Sequence, residues 1–237
     1  MAKNKKPIAV FDIDGTIFRG SLLVEITRAM IRVGAFPPEA EQEYKQEYTA
    51  WRRRQGLYGA YIEKVIIAFE HHIKGVKPQT LQVMSEILIN NLALESYRYT
   101  RDLISKLRKT HFLVAISGSP EELVSRFADK YGFSDYKATE YRLSKGVYSG
   151  QASLGLKDKD KTLKQMIKKH NLTLAGSWGV GDTENDAAFL KLVEKPIAFN
   201  PNQGLFELAK ANDWPVVVER KNMVYQFKQA DGKYRLS

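Results

Sequence analysis

The feature that most limits what this chain can become is its first apolar run, "PIAVFDIDGTIF" at residues 7–18. Pro7 to Phe11 read as a short buried strand that runs straight into two carboxylates, Asp12 and Asp14, followed by Gly15 and Thr16. Carboxylates at the end of a buried strand are costly unless something compensates them. The chain therefore needs a fold that gathers compensating groups at that strand end.

The remaining pattern supplies one. "HFLVAIS" (111–117) and "SWGVGD" (177–182) read as further buried strands, the first ending at Ser117-Gly118-Ser119 and the second in "GDTENDA" with Asp182 and Asp186. "PIAFN" (196–200) and "PVVV" (215–218) add two more, and helical patterns at 99–110, 120–131, 161–171, 185–193 and 205–213 alternate with the strands. This alternation implies an α/β fold, a parallel sheet covered by helices on both faces. "YKATEYRLSKGVYSG" (136–150) reads as a strand pair turned at Ser144-Lys145-Gly146, and "VYQFKQADGKYRL" (224–236) as a hairpin turned at Asp231-Gly232. From residue 18 to 95 the text is helical in four runs punctuated by glycine or proline. That stretch has no place in the alternation. It reads as an inserted all-helical cap domain (18–95) on a discontinuous core (1–17 and 96–237).

Ligands of open parallel sheets bind beyond the carboxyl ends of the strands. Asp12, Asp14, Asp182 and Asp186 would meet at that edge and repel one another. A hard divalent cation resolves this, and Mg2+ commonly binds through one or two carboxylates plus substrate phosphate. Lys157, Lys159 and Lys161, in "KDKDK", offer a further positive charge. The spacing points to a metal-assisted phosphoryl site.

Composition narrows the alternatives. The 237 residues are 43% hydrophobic, enough for a packed core, and contain no cysteine, which removes disulfides, thiolate nucleophiles and thiolate zinc sites. No signal-peptide core follows the basic N-terminus and no segment approaches a bilayer span, so a soluble, cytoplasmic protein without a membrane partner is expected. A net charge of +10 favours anionic partners. It supports a second reading, a basic protein that engages nucleic acid through the aromatic and basic residues of "YTAWRRRQGLY". The chain carries no recognised nucleic-acid motif, and binding alone leaves the carboxylates unexplained.

"DIDGT", a strand ending in "SGS", a lysine and "GDTEND" resemble, in order, the four motifs of the haloacid-dehalogenase-like (HAD) hydrolase superfamily. The helical insertion and the 136–150 hairpin look most like its phosphoserine-phosphatase-like branch. The resemblance implies a three-layer Rossmann-like core with a cap inserted after the first strand. It also implies a Mg2+-dependent phosphomonoesterase acting on a small phosphorylated metabolite through an aspartyl-phosphate. Asp12 would be the nucleophile and Asp14 the general acid and base. Asp12, Asp182 and the Asp14 carbonyl would hold the metal, supported by Asp186, with Asn185 in the motif's asparagine place. Ser117 and the Gly118 N–H would hold phosphate oxygens, as would a lysine. Lys159 fits the family's spacing, with Leu163 four residues on and Asp182 twenty-three on; Lys161 remains an alternative and Lys157 a lesser one.

One departure matters. Phosphoserine-specific members carry a glutamate nine residues after the nucleophile, where this chain has Ser21, with Glu25 a turn further on. Phosphoserine phosphatase proper, a phosphatase of nucleotides or nucleic acid, and transfer to an acceptor other than water stay open. Tyr44, Tyr48, Trp51 and Tyr58 recur at helical spacing and are expected to pack the cap, and Arg52-Arg53-Arg54 to face solvent. His71 and His72, adjacent and so about 100° apart on a helix, are expected to share no metal. His111 and His170, beside helix ends, are given no role.

Overall fold

A computed structural model of the chain describes residues 5–154, 158–230 and 232–237. The first strand, β1 (Pro7–Phe11), sits at the middle of a nine-stranded sheet. Its parallel neighbours are β2 (Phe112–Pro120) and β5 (Thr173–Gly181). The sheet order is β4-β3-β2-β1-β5-β6-β7-β8-β9, where β3 is Asp135–Ser144, β4 Val147–Leu154, β6 Lys195–Phe199, β7 Val216–Arg220, β8 Met223–Ala230 and β9 Lys233–Leu236. The run from β3 to β7 is parallel, and antiparallel hairpins finish both ends. The order reverses at β1, which leaves the crevice beside the residues that follow it.

Side chains alternate across a strand, and β1 uses this to join two cores. Ile8 and Val10 face a cluster with α7 (Lys159–His170), α8 (Ala187–Leu190) and α9 (Gln203–Ala211). Ala9 and Phe11 face the other side, with α5 (Arg98–Leu107) and α6 (Glu121–Tyr131). The three expected layers are therefore present. The helical insertion comprises α1 (Leu22–Arg32), α2 (Gln42–Arg52), α3 (Tyr58–Ile73) and α4 (Pro78–Leu92). Its buried residues, among them Phe36, Tyr61 and Phe69, belong to the same cluster as Phe11. The insertion thus shares one core with one face of the sheet.

Two clasps hold it there. The chain leaves and returns side by side, with Tyr97 N–H donating to the Ile17 carbonyl at 2.9 Å and Arg19 N–H to Glu95 at 2.9 Å. Farther away, the turn between α3 and α4 pairs with β4: Gly75 N–H donates to Tyr148 O and Tyr148 N–H to Val76 O, both at 2.9 Å. The β3–β4 turn falls where the sequence puts it, with Lys145 at φ 51° and Gly146 at φ 81°, as a two-residue hairpin requires.

Two elements differ from expectation. The helix expected over 185–193 is a 3-10 turn, Glu184–Asp186, followed by only the four residues of α8. Here Asp186 closes a capping box with Thr183. The hairpin expected over 224–236 also pairs with β7, which runs on to Arg220 and makes the hairpin the end of the main sheet. Asp231 of its expected turn lies outside the described residues, as does Lys157.

Candidate active site

Beyond the carboxyl end of β1, a lysine stands between two aspartates. Lys159, from the first turn of α7, donates to Asp12 Oδ1 at 2.7 Å and to Asp186 Oδ1 at 2.6 Å. All three are buried, Lys159 at 6% exposure, Asp12 at 5% and Asp186 at 0%. Burial disfavours the charge on Lys159, but the two carboxylates outweigh it and push its pKa upward. Lys161 is exposed and pairs with Asp158 at 2.8 Å, away from this cluster. The spacing that favoured Lys159 agrees with its position.

Asp186 is fully committed. Its other oxygen accepts from Asp182 N–H at 3.1 Å, Thr183 N–H at 2.9 Å and the Thr183 hydroxyl at 3.0 Å, shaping the loop that carries Asp182. Asp182 accepts from the Thr16 hydroxyl at 3.3 Å and is otherwise open to the cavity. Burial, reinforced by Asp12 and Asp186, raises its pKa well above the usual carboxylate range. Asp12 is raised as well, burial outweighing the attraction of Lys159. The single lysine does not neutralise the cluster. Carboxylate oxygens of Asp12, Asp182 and Asp186 lie within 4.8 Å of one another. This all-oxygen, over-acidic donor set fits a hard cation such as Mg2+. Since Asp186 is bound up with Lys159 and its loop, Asp12 and Asp182 are the carboxylates left to hold one.

Asp14 is held differently. Its Oδ1 accepts from Leu22 N–H at the start of α1, and its Oδ2 from the Ser117 hydroxyl at 3.0 Å and the Ser119 hydroxyl at 2.7 Å. Burial still prevails over these bonds, and its pKa is raised. The turn that sets Asp14 beside Asp12 needs Gly15, at φ 79°, where an added Cβ would stand 2.1 Å from Asp182 Oδ2. A side chain there would collide with the cluster.

These residues open on a cavity of about 670 Å3. Asp12, Asp14, Lys159, Asp182, Gly118 and Asn185 all line it. Ser117 does not: its hydroxyl is spent on Asp14, and it also accepts from Ser119 N–H at 3.1 Å. Ser119, the last residue of the "SGS" stretch, lines the wall instead, as does Thr139, which no motif included and which donates to the Gly118 carbonyl at 2.7 Å. The opposite wall is Leu23, Tyr58, Ile62, Ile66, Tyr141 and Glu70. Helical spacing marks 58, 62 and 66 as one face of α3, but nothing local shows that it faces a cavity. Tyr58 therefore does more than pack the insertion, whereas Tyr48 and Trp51 do pack it, against Tyr61. Ser21 also lines the cavity and caps α1, while Glu25 pairs with Arg28 at 3.4 Å and is not on the wall. The acid on the wall is Glu70, its pKa raised by burial.

The three-layer parallel fold thus turns acidic loops and a buried lysine onto one crevice. The model of the haloacid dehalogenase-like hydrolases matches residues 9–191, and the chain belongs to that family. A search among curated proteins finds no match. Solved structures similar to it include a protein of unknown function from Bordetella pertussis Tohama I (TM-score 0.73, 20% identity, 90% of this chain and 98% of that one). A phospho-aspartyl intermediate analogue of phosphoserine phosphatase has a TM-score of 0.62 at 19% identity, over 92% of this chain and 95% of that one. A phosphoserine phosphatase from T. onnurineus gives 0.55 at 18% identity, over 93% of both chains. These likenesses establish the fold. Among the described residues no helix is long and apolar enough to cross a membrane.

Proposed function

We propose that the protein is a Mg2+-dependent phosphatase that hydrolyses a small phosphate monoester through an aspartyl-phosphate on Asp12. The observation that carries this is Asp12 held by Lys159 at the floor of the cavity, with Asp14 two residues away on separate hydrogen bonds. Asp12 and Asp182, with the Asp14 carbonyl, would hold the cation, which supplies positive charge opposite the phosphate. Lys159 orients Asp12 and opposes the effect of burial on its charge, and its ammonium would also meet a phosphate oxygen.

In the first step an Asp12 oxygen bonds to phosphorus as the ester P–O bond breaks, and Asp14 gives its proton to the departing alcohol. The raised pKa of Asp14 favours that protonated form. In the second step water attacks phosphorus, Asp14 takes the water's proton, and the bond to Asp12 breaks to release phosphate. The Gly118 N–H is a neutral donor on the phosphate side, whereas the Ser117 and Ser119 hydroxyls are both engaged by Asp14.

The insertion at residues 18–95 acts as the cap that selects the leaving group. Its contribution to the wall is largely apolar and aromatic, with one carboxylate, Glu70. Ser21 in the glutamate's place, together with Glu25 turned to Arg28, weighs against phosphoserine itself. The deciding experiment is phosphate release from a panel of phosphomonoesters, with Mg2+ or with chelator, for wild type and Asp12→Asn. Metal-dependent release lost in Asp12→Asn is expected. Release that survives Asp12→Asn, or no release from any ester, would overturn the proposal.

A further inference from the structure

Adjacent histidines on a helix should point apart, yet His71 and His72 converge. They stack with ring centroids 4.5 Å apart, and both meet one oxygen of Glu43. The near nitrogen of one ring, Nδ1 of His71 at 3.1 Å, and the far nitrogen of the other, Nε2 of His72 at 2.6 Å, face Glu43 Oε1. Using different ring nitrogens cancels the angular offset of the two positions. The expectation from helical geometry is corrected accordingly. All three donor atoms lie within 4.8 Å of one another.

We propose that Glu43, His71 and His72 form a second metal site, on the helical insertion, that takes a borderline divalent cation such as Zn2+. Two imidazole nitrogens and a carboxylate oxygen are a zinc donor set, with a fourth position left for water. Tetrahedral ligands about 2.0–2.1 Å from zinc stand roughly 3.3 Å apart. The two nitrogen-to-oxygen separations, 3.1 and 2.6 Å, must open to that value, and the two ring nitrogens, within 4.8 Å of each other, must settle at it; the His71 side chain, 66% exposed, is free to adjust. His72 is anchored, at 13% exposure and 5.9 Å from the Phe36 ring. One ligand is thus preset and one adjustable.

The two metal sites differ in hardness. Oxygen-only donors at Asp12 and Asp182 suit Mg2+, while imidazoles suit zinc, so the chain can sort the two cations by ligand chemistry. Bound zinc would also join α2, through Glu43, to the last turn of α3. The same α3 carries Tyr58, Ile62, Ile66 and Glu70 on the cavity wall.

The test is calorimetric titration of Zn2+ into the full chain held in excess Mg2+, which occupies the aspartate site, for wild type, His71→Ala, His72→Ala and Glu43→Gln. Wild type should take one equivalent that Mg2+ does not displace. Losing only a partner of a ligand costs about 10–100-fold in affinity, so each variant should weaken Zn2+ by at least about tenfold. No Mg2+-resistant equivalent in wild type would overturn the site. So would unchanged binding in all three variants, or weakening in one histidine variant alone, which is single-imidazole surface binding. Long-range 1H–15N spectra of wild type give a check that needs no substitution. Zinc should shift the His71 and His72 ring nitrogens together, and a shift of neither refutes the proposal.

Discussion

The two walls of the cavity are built on different principles. On the sheet side the charged groups are fixed by directed hydrogen bonds: Asp14 by Leu22 N–H, Asp186 by two loop amides, and Lys159 by the carboxylates of Asp12 and Asp186. On the insertion side Tyr58, Ile62 and Ile66 are placed by packing. Nearby, the Tyr61 hydroxyl is buried without a hydrogen bond among the described residues, and burial pushes its pKa up to about 12. Directional bonds specify positions sharply, whereas packing specifies volume and tolerates exchange. The polar wall is thus sharply determined, and the packed wall tolerates more change.

Substitutions can break or sharpen that contrast. Lys159→Met should have the largest effect, since breaking a buried ion pair costs about 3–5 kcal/mol when the partner charges stay behind. Urea unfolding in chelator should show the full loss and in Mg2+ a smaller one, and turnover in Mg2+ should be abolished. Lys161→Met, on the exposed pair with Asp158, should leave both unchanged. Gly15→Ala places a methyl against Asp182 and a side chain at positive φ. Misplacing a reacting group by about 1 Å can cost 100-fold, so kcat should fall by at least that factor.

Across the cavity, Glu70→Gln should reorder the ester panel. Changes in kcat/KM of about tenfold, worth roughly 1.4 kcal/mol, should concentrate in KM. Equal losses for every ester would place Glu70 among the reacting groups and erase the contrast.

The smallest effect belongs to a site remote from both walls. Asp135 accepts from Lys169 at 2.8 Å and His170 at 2.6 Å. Burial would raise its pKa, but these bonds and the Tyr136 N–H lower it below the usual 3.8. A lowered acid stabilises the fold above its ordinary pKa and loses that contribution as pH falls through the folded value. Wild type should therefore exceed Asp135→Asn by a few tenths to about 1 kcal/mol at pH 7, the range for partly exposed pairs. The gap in melting temperature should close as pH falls below about 4.

What the sequence revealed follows the same division. Asp12, Asp14, Asp182 and Asp186 were legible because they follow strand ends, and the sheet needs only alternating apolar runs to bring those ends together; Lys159 was singled out from its neighbours only by the spacing that the family resemblance implies. The short turn at Glu184–Asp186 was misread as helix because Asp186 spends its side chain on the loop rather than on a regular turn. Thr139, Tyr141 and Glu70 were invisible because their places depend on long-range contacts. Glu70 reaches the wall only because α3 lies along the hairpin: an added Cβ on Gly150 would stand 2.7 Å from the Glu70 carbonyl. Ser117 was found, but its hydroxyl turned out to serve Asp14.

The two clasps of the insertion carry a mechanical consequence. One joins residues 17–19 to 95–97 and the other joins the α3–α4 turn to Tyr148. Between them the buried side chains of the insertion and of one sheet face form a single apolar cluster, so the wall that the insertion lends the cavity is held by the same burial that stabilises the core, and loosening one loosens the other.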